Sequence, residues 1–182
     1  QEVNADGIDV TADWSAPLFN GWLRLNLSAT HFLGYEIPCA GKNNRGCASA
    51  RGTQDVVGYF NFDNFARSMP ETKINTTLEW TNDNHKLALL MFYVSDYETT
   101  RSIPDPARAA GYSNKVDSWS TLDIQYSYQL KFQGIDTTLT VGAKNLTDEK
   151  APKVYDAANF SYDAKQHDPR GQIWYLQLRA AF

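Results

Sequence analysis

Gly171-Gln172-Ile173-Trp174-Tyr175-Leu176-Gln177-Leu178-Arg179-Ala180-Ala181-Phe182 closes the chain, and Trp174, Leu176, Leu178, Ala180 and Phe182 fall on every second position. A two-residue period puts these side chains on one face of a β-strand. Tyr175, Gln177, Arg179 and Ala181 fall on the other face, which is mostly polar. A strand that stops on an aromatic ring fits a barrel strand ending among lipid headgroups better than a soluble sandwich strand trailing into polar residues.

The rest of the sequence is compatible with that reading. In 182 residues with 42% hydrophobic content there is material for a sizeable core. A mean hydropathy of -0.49 and the lack of a long apolar run exclude transmembrane helices. They leave a transmembrane barrel open, because half of each barrel strand is polar. The net charge of -4, without a basic run, argues against a nucleic-acid partner. Neither an initiating Met nor a charged, apolar leader stands at the start, so the chain is expected to be processed or, preferably, part of a longer polypeptide. Cys39 and Cys47 lie in a stretch rich in Gly, Asn and Ala and are expected to form a disulfide clipping a loop in an oxidising compartment. Two free thiols in a cytosolic protein is the lesser alternative.

Read in order, the chain gives seven strands. Ile8, Val10, Ala12 and Trp14 alternate with polar residues, and after a break at Pro17 to Gly21 so do Leu23, Leu25, Leu27 and Ala29. The pattern dissolves from about Glu36 to Pro70. It resumes over Glu71 to Thr81, turns at Asn82 to His85, and continues from Lys86 to about Tyr97 with Leu87, Leu89, Met91 and Tyr93 on the apolar side. Glu98 to Asp117 reads as loop, with one helical turn possible at Pro106 to Ala110. Strands over Leu122 to Phe132 and Thr138 to Lys144 flank a turn at Gln133-Gly134, and a third loop runs from Leu146 to Arg170.

Short turns thus alternate with long loops, as in up-and-down outer-membrane barrels. Trp14, Trp80, Phe132 and Phe182 are in phase at the tight-turn end, and Tyr35, Tyr93, Tyr97 and Trp174 near the loop end. Two such rings are expected to form aromatic girdles at the membrane interfaces. Trp22 and Trp119 are out of phase. Bacterial barrels have even strand numbers of eight or more, so seven strands are expected to be part of a larger barrel completed by other strands.

Lys144-Asn145-Leu146-Thr147-Asp148-Glu149-Lys150 is similar to the segment ending the penultimate strand of TonB-dependent outer-membrane receptors. Val154-Tyr155-Asp156, Phe160-Ser161-Tyr162-Asp163 and His167-Asp168-Pro169-Arg170-Gly171 resemble the last extracellular loop in that family, and the strand ending at Phe182 resembles its terminus. The specific motifs occupy only about the last forty residues; upstream the match is one of pattern. The resemblance implies an all-β, antiparallel up-and-down transmembrane β-barrel of about 22 strands, of which residues 1–182 supply the C-terminal part, the plug domain and N-terminal barrel strands lying elsewhere. It further implies an active transporter in the bacterial outer membrane that binds a scarce nutrient, such as a ferric siderophore or an oligosaccharide, and imports it with energy coupled through TonB. The implied partners are the remaining strands and plug, TonB, outer-membrane lipid and the small-molecule ligand. The alternatives are a passive porin or structural barrel, and a secreted all-β binding module.

No catalytic motif stands out, and no enzyme activity, cofactor or metal is expected. Asp163, His167 and Asp168 read as a solvated loop before they read as a metal cluster. Tyr155, Phe160 and Tyr162 are candidates to stack on a ligand, or equally to pack the loop. Arg170 is expected first to pair with a carboxylate and second to meet an anionic ligand. Arg24, Lys73, Glu79, Asp123, Lys144 and Arg179 are expected to face inward as a mixed-charge surface suited to a polar plug. The resemblance makes Phe182 the membrane-assembly signal.

Overall fold

A computed structural model of the chain describes residues 3–39, 52–60, 67–155 and 161–181. Cys47, Phe160 and Phe182 lie outside the described residues. In chain order the elements are β1 (Asn4–Leu18), β2 (Gly21–Pro38), β3 (Thr53–Asp55), β4 (Tyr59–Phe60), β5 (Ser68–Met69), β6 (Thr72–Asn82), β7 (His85–Val94), β8 (Tyr97–Thr99), α1 (Asp105–Ala109), β9 (Lys115–Val116), β10 (Trp119–Phe132), β11 (Ile135–Lys144) and β12 (Ile173–Ala181).

The long strands β1, β2, β6, β7, β10, β11 and β12 lie side by side in that order, each antiparallel to the next. Connections at one end are two residues long, and each opens in the left-handed region: Phe19 and Asn20 (φ 47° and 57°), Asp83 (φ 42°), and Gln133 and Gly134 (φ 51° and 84°). Positive φ at both central residues, as in the first and third turns, matches the twist of the flanking strands and explains these tight hairpins. Trp80 Nε1 donates to the Leu18 carbonyl at 2.9 Å, fastening the first turn to its neighbour.

Register converts the alternation into two continuous faces. Trp14, Leu25, Leu78, Leu89, Ile124, Ala143 and Trp174 are successive partners across all seven strands, as are Ala16, Leu23, Trp80, Leu87, Tyr126, Val141 and Leu176. Opposed residues in an antiparallel pair share a face. Between the bulge at Asp6/Gly7 and the tight turns, the apolar face therefore carries no Asp, Glu, Lys or Arg. Asp9, Asp13, Arg24, Lys73, Glu79, Lys86, Asp123, Lys131, Asp136, Lys144 and Arg179 all fall on the other face. Two pairs of them meet there, Lys86 with Glu79 at 2.6 Å and Lys131 with Asp136 at 3.7 Å. On the apolar face Leu176 is 73% and Leu178 70% exposed, Leu25, Leu78 and Leu89 are partly exposed, and the small Ala143 is covered by its neighbours.

Buried apolar side chains gather at the loop end. Phe60, Tyr97, Val116 and Val154 form one cluster; Ile37, Val56 and Met69, with Phe32 and Tyr35 against them, form another. The first and second long connections fold into a small second sheet, β5-β4-β8-β9, in which β4 and β8 run parallel. Several expectations are corrected here. β2 runs on to Pro38, past the expected loop start at Glu36, because β1 and then β3 pair with it. β7 stops at Val94, and Tyr97 belongs to the second sheet, 2% exposed, where it cannot serve in an aromatic ring around the wall. Tyr35 likewise packs into the loop-end core. The helical turn is present as α1. β1 and β12 each have one long-strand neighbour among the described residues, so the sheet is open there.

Candidate functional site

The penultimate strand ends in a turn built by the Lys144–Lys150 segment. Asn145 takes a left-handed conformation (φ 48°), its N–H donates to Asp123 Oδ1 at 2.7 Å, and its side-chain oxygen accepts the Glu149 N–H at 2.9 Å. Asp148 Oδ1 then accepts the N–H of Gln172 at 3.0 Å, and Gln172 Nε2 donates to the Leu146 carbonyl at 2.7 Å. This motif therefore staples the exit of β11 to the entry of β12. The Lys150 ammonium, then the Gln172 N–H, hold the Asp148 carboxyl below the ordinary carboxylate range. Gly171 makes the sharp entry at φ 69°, and a Cβ there would stand 2.7 Å from Asp148 Oδ1.

Between these strands, the polar face of the sheet and the last long connection lies a concavity of about 460 Å³. That volume is in the range of small-molecule sites. Its floor is the wet face of β6, β7 and β10, with Lys73, Asn75, Phe92, Trp119, Thr121 and Asp123; Lys144 and Ile173 close one side, and residues 164–168 with Arg170 form the roof. Asn75, Phe92 and Thr121 are partners in register, so Phe92 is an aromatic set among polar neighbours on the charged face, 37% exposed.

The roof is held by a buried cluster. Tyr97 Oη donates to Asp163 Oδ2 at 2.9 Å; the His167 and Lys165 N–H groups donate to Asp163 O and Oδ1 at 2.9 and 3.0 Å. Burial, then the Asp163 charge, pushes the Tyr97 phenol far above its ordinary range. The His167 ring stacks on Tyr97 at 6.0 Å between centroids and meets Trp119 edge-on at 5.5 Å. His167 is 5% and Trp119 6% exposed, and neither ring's nitrogens have a hydrogen-bond partner among the described residues. Leaving a buried donor unpaired costs about 1–3 kcal/mol. Burial also pushes the His167 imidazolium below the ordinary histidine range, with Asp163 opposing, so the neutral ring is favoured.

Arg170 donates from Nε to both Asp168 oxygens at 2.9 Å and from Nη2 to Oδ2 at 2.5 Å, the carboxylate pairing expected from the sequence. That fork is the main reason Asp168 titrates below its ordinary range. Tyr155 stands away from the concavity, edge-on to Tyr112 at 5.7 Å, and Tyr162 is half-buried and does not line it. Of the described candidates only Arg170 lines the site. Cys39 is buried and disulfide-bonded. Among the described residues no group of three His, Cys, Asp or Glu could hold a metal ion.

Sequence reading missed Phe92, Trp119, Lys73 and Lys144 as members of one site. The signal was the phase of Trp119 together with Phe92: two large rings on the face that carries the charged residues call for a cover or a ligand. No protein-family model matches the sequence, and no match is found among curated proteins or among solved structures.

Proposed function

We propose that the chain is the carboxy-terminal part of a TonB-dependent active transporter of the bacterial outer membrane: seven strands of a larger barrel that binds a scarce nutrient at the cell surface and imports it. The supporting observation is the apolar face, continuous across seven strands in register and free of Asp, Glu, Lys and Arg. Each large apolar side chain left in water forgoes roughly 1.5–3 kcal/mol of burial, and a contiguous face of this extent needs an apolar surrounding. Lipid supplies it, and the open edges at β1 and β12 are then paired by further strands, because unpaired edges are not borne in hydrocarbon. Tight turns lie on the periplasmic side and the structured connections outside, as in bacterial barrels. The likeness of the Lys144–Lys150 and Val154–Gly171 segments to TonB-dependent receptors adds the coupling to TonB and the choice of active over passive transport.

The test is fractionation and uptake in a Gram-negative cell expressing the protein. It is expected in the outer-membrane fraction, dependent on detergent once extracted, and any ligand uptake it confers stops when TonB is deleted. A monomer that stays monodisperse in water overturns the membrane reading, and uptake indifferent to TonB replaces the active transporter by a porin.

A further inference from the structure

The concavity under the last connection has a composition that selects its ligand. Phe92 offers an uncovered ring at the centre of the floor, one pair from Val94 and Trp119 and diagonal to Lys73. Lys73 and Lys144 enter from opposite sides and make no ion pair among the described residues; Lys73 feels Asp163 and Lys144 feels Asp168 only through space, and the nearby carboxylates are bonded elsewhere, Asp123 to the Asn145 N–H, Asp168 to the Arg170 fork and Asp163 to the Tyr97 hydroxyl. Trp119 and His167 also line the concavity, with their unpartnered ring nitrogens buried beneath its surface. Cations thus outnumber carboxylates around an aromatic platform, Lys73, Lys144, Lys165 and Arg170 against Asp123 and Asp168, which suits a ligand that is flat, apolar in its body and anionic.

We propose that this concavity binds a flat organic anion, its ring against Phe92 and its carboxylate or phosphate between Lys73 and Lys144. A ring on Phe92 gains the offset or edge-on contact that aromatic pairs prefer, and an oxyanion takes charge-assisted hydrogen bonds from the ammonium groups. A neutral molecule of the same shape gains only the first. The inference rests on the transporter reading for its meaning, because there the polar face is the lumen and this site sits at its outer mouth, the place to capture an anionic nutrient.

The experiment is calorimetric titration of the purified protein with 2-naphthoate and, in parallel, with its neutral amide. Naphthoate is expected to bind at least tenfold more tightly than the amide. Lys73→Met and Lys144→Met should each erase most of that preference, and Phe92→Ala should weaken both compounds by roughly fivefold. Circular dichroism at equal protein concentration checks that each variant keeps its strand content, and Phe92→Leu is the substitute if Phe92→Ala does not fold. Equal affinity for naphthoate and its amide, no binding of either, or a preference untouched by both lysine variants overturns the site. A detergent-dependent protein that ignores naphthoate loses the site and keeps the barrel; a water-soluble monomer that prefers naphthoate does the reverse.

Discussion

Asp163 shows what a single residue does for the site's roof. It is 4% exposed and its carboxylate accepts from the Tyr97 hydroxyl and from the Lys165 N–H. Tyr97→Phe removes one of these donors while keeping the ring that His167 stacks on, so it is expected to cost about 1–3 kcal/mol of local stability, read as faster hydrogen exchange over residues 161–168. Unchanged exchange would mean that the bond holds nothing. His167 gives the same segment a pH dependence. Its pKa is depressed in the fold, so the unfolded segment binds more protons below the ordinary histidine value of 6.5. The stability it contributes is complete above 6.5 and declines as pH falls through the folded value. Asp163 opposes the shift without cancelling it. Protection of residues 161–168, corrected for intrinsic rate, should therefore fall between pH 7.5 and 5, and His167→Phe should flatten the profile. That Arg170 pairs with a carboxylate was legible in sequence; the structure makes Asp168, two residues before it, the partner. The Tyr97 to Asp163 bond joins residues sixty-six apart, and alternation alone assigned Tyr97 to a girdle.

Among elements, β12 and β11 carry the sharpest contrast. Gly142 lies under Tyr175, whose hydroxyl crosses it to donate to Gln125 Oε1 at 2.9 Å on the strand beyond. A Cβ at Gly142 would stand 2.8 Å from the Ile124 carbonyl oxygen, which is backbone and cannot step aside. Gly142→Ala should therefore shift the strands or expel Tyr175, whereas Tyr175→Phe should lose only the bond. Neighbouring positions on β12 are predicted to differ in kind. Leu176→Arg places a charge on the apolar face and should cost roughly 2–4 kcal/mol at mid-membrane depth; Gln177→Arg stays on the polar face and should be nearly neutral. Heat-modifiable gel mobility of the assembled protein measures both, and equal effects would contradict the two-faced strand. The faces of the seven strands were readable because a period of two survives in any register. The end of β2 was not, because its pairing with β3 depends on residues beyond the local pattern. The parallel pairing of β4 and β8 left no local signal at all.

For the whole molecule, apolar residues follow two regimes. At the loop end Val56, Val116 and Val154 are buried almost completely; along the wall Trp174, Leu176 and Leu178 stand bare. On the proposed reading, lipid around the wall and water around the loops account for both. The seven long strands and their separate faces could be read from the sequence, but not the five short strands or the roofed concavity, which depend on how the long connections fold back over the sheet. The most direct test is a scan of single spin labels at residues 173–181 in bilayer-reconstituted protein, comparing collisions with oxygen and with a water-soluble nickel chelate. Labels at Trp174, Leu176, Leu178 and Ala180 should collide with oxygen and escape nickel, and those at Tyr175, Gln177 and Arg179 should do the opposite. Nickel access at every position, or no alternation, would contradict a wall in lipid.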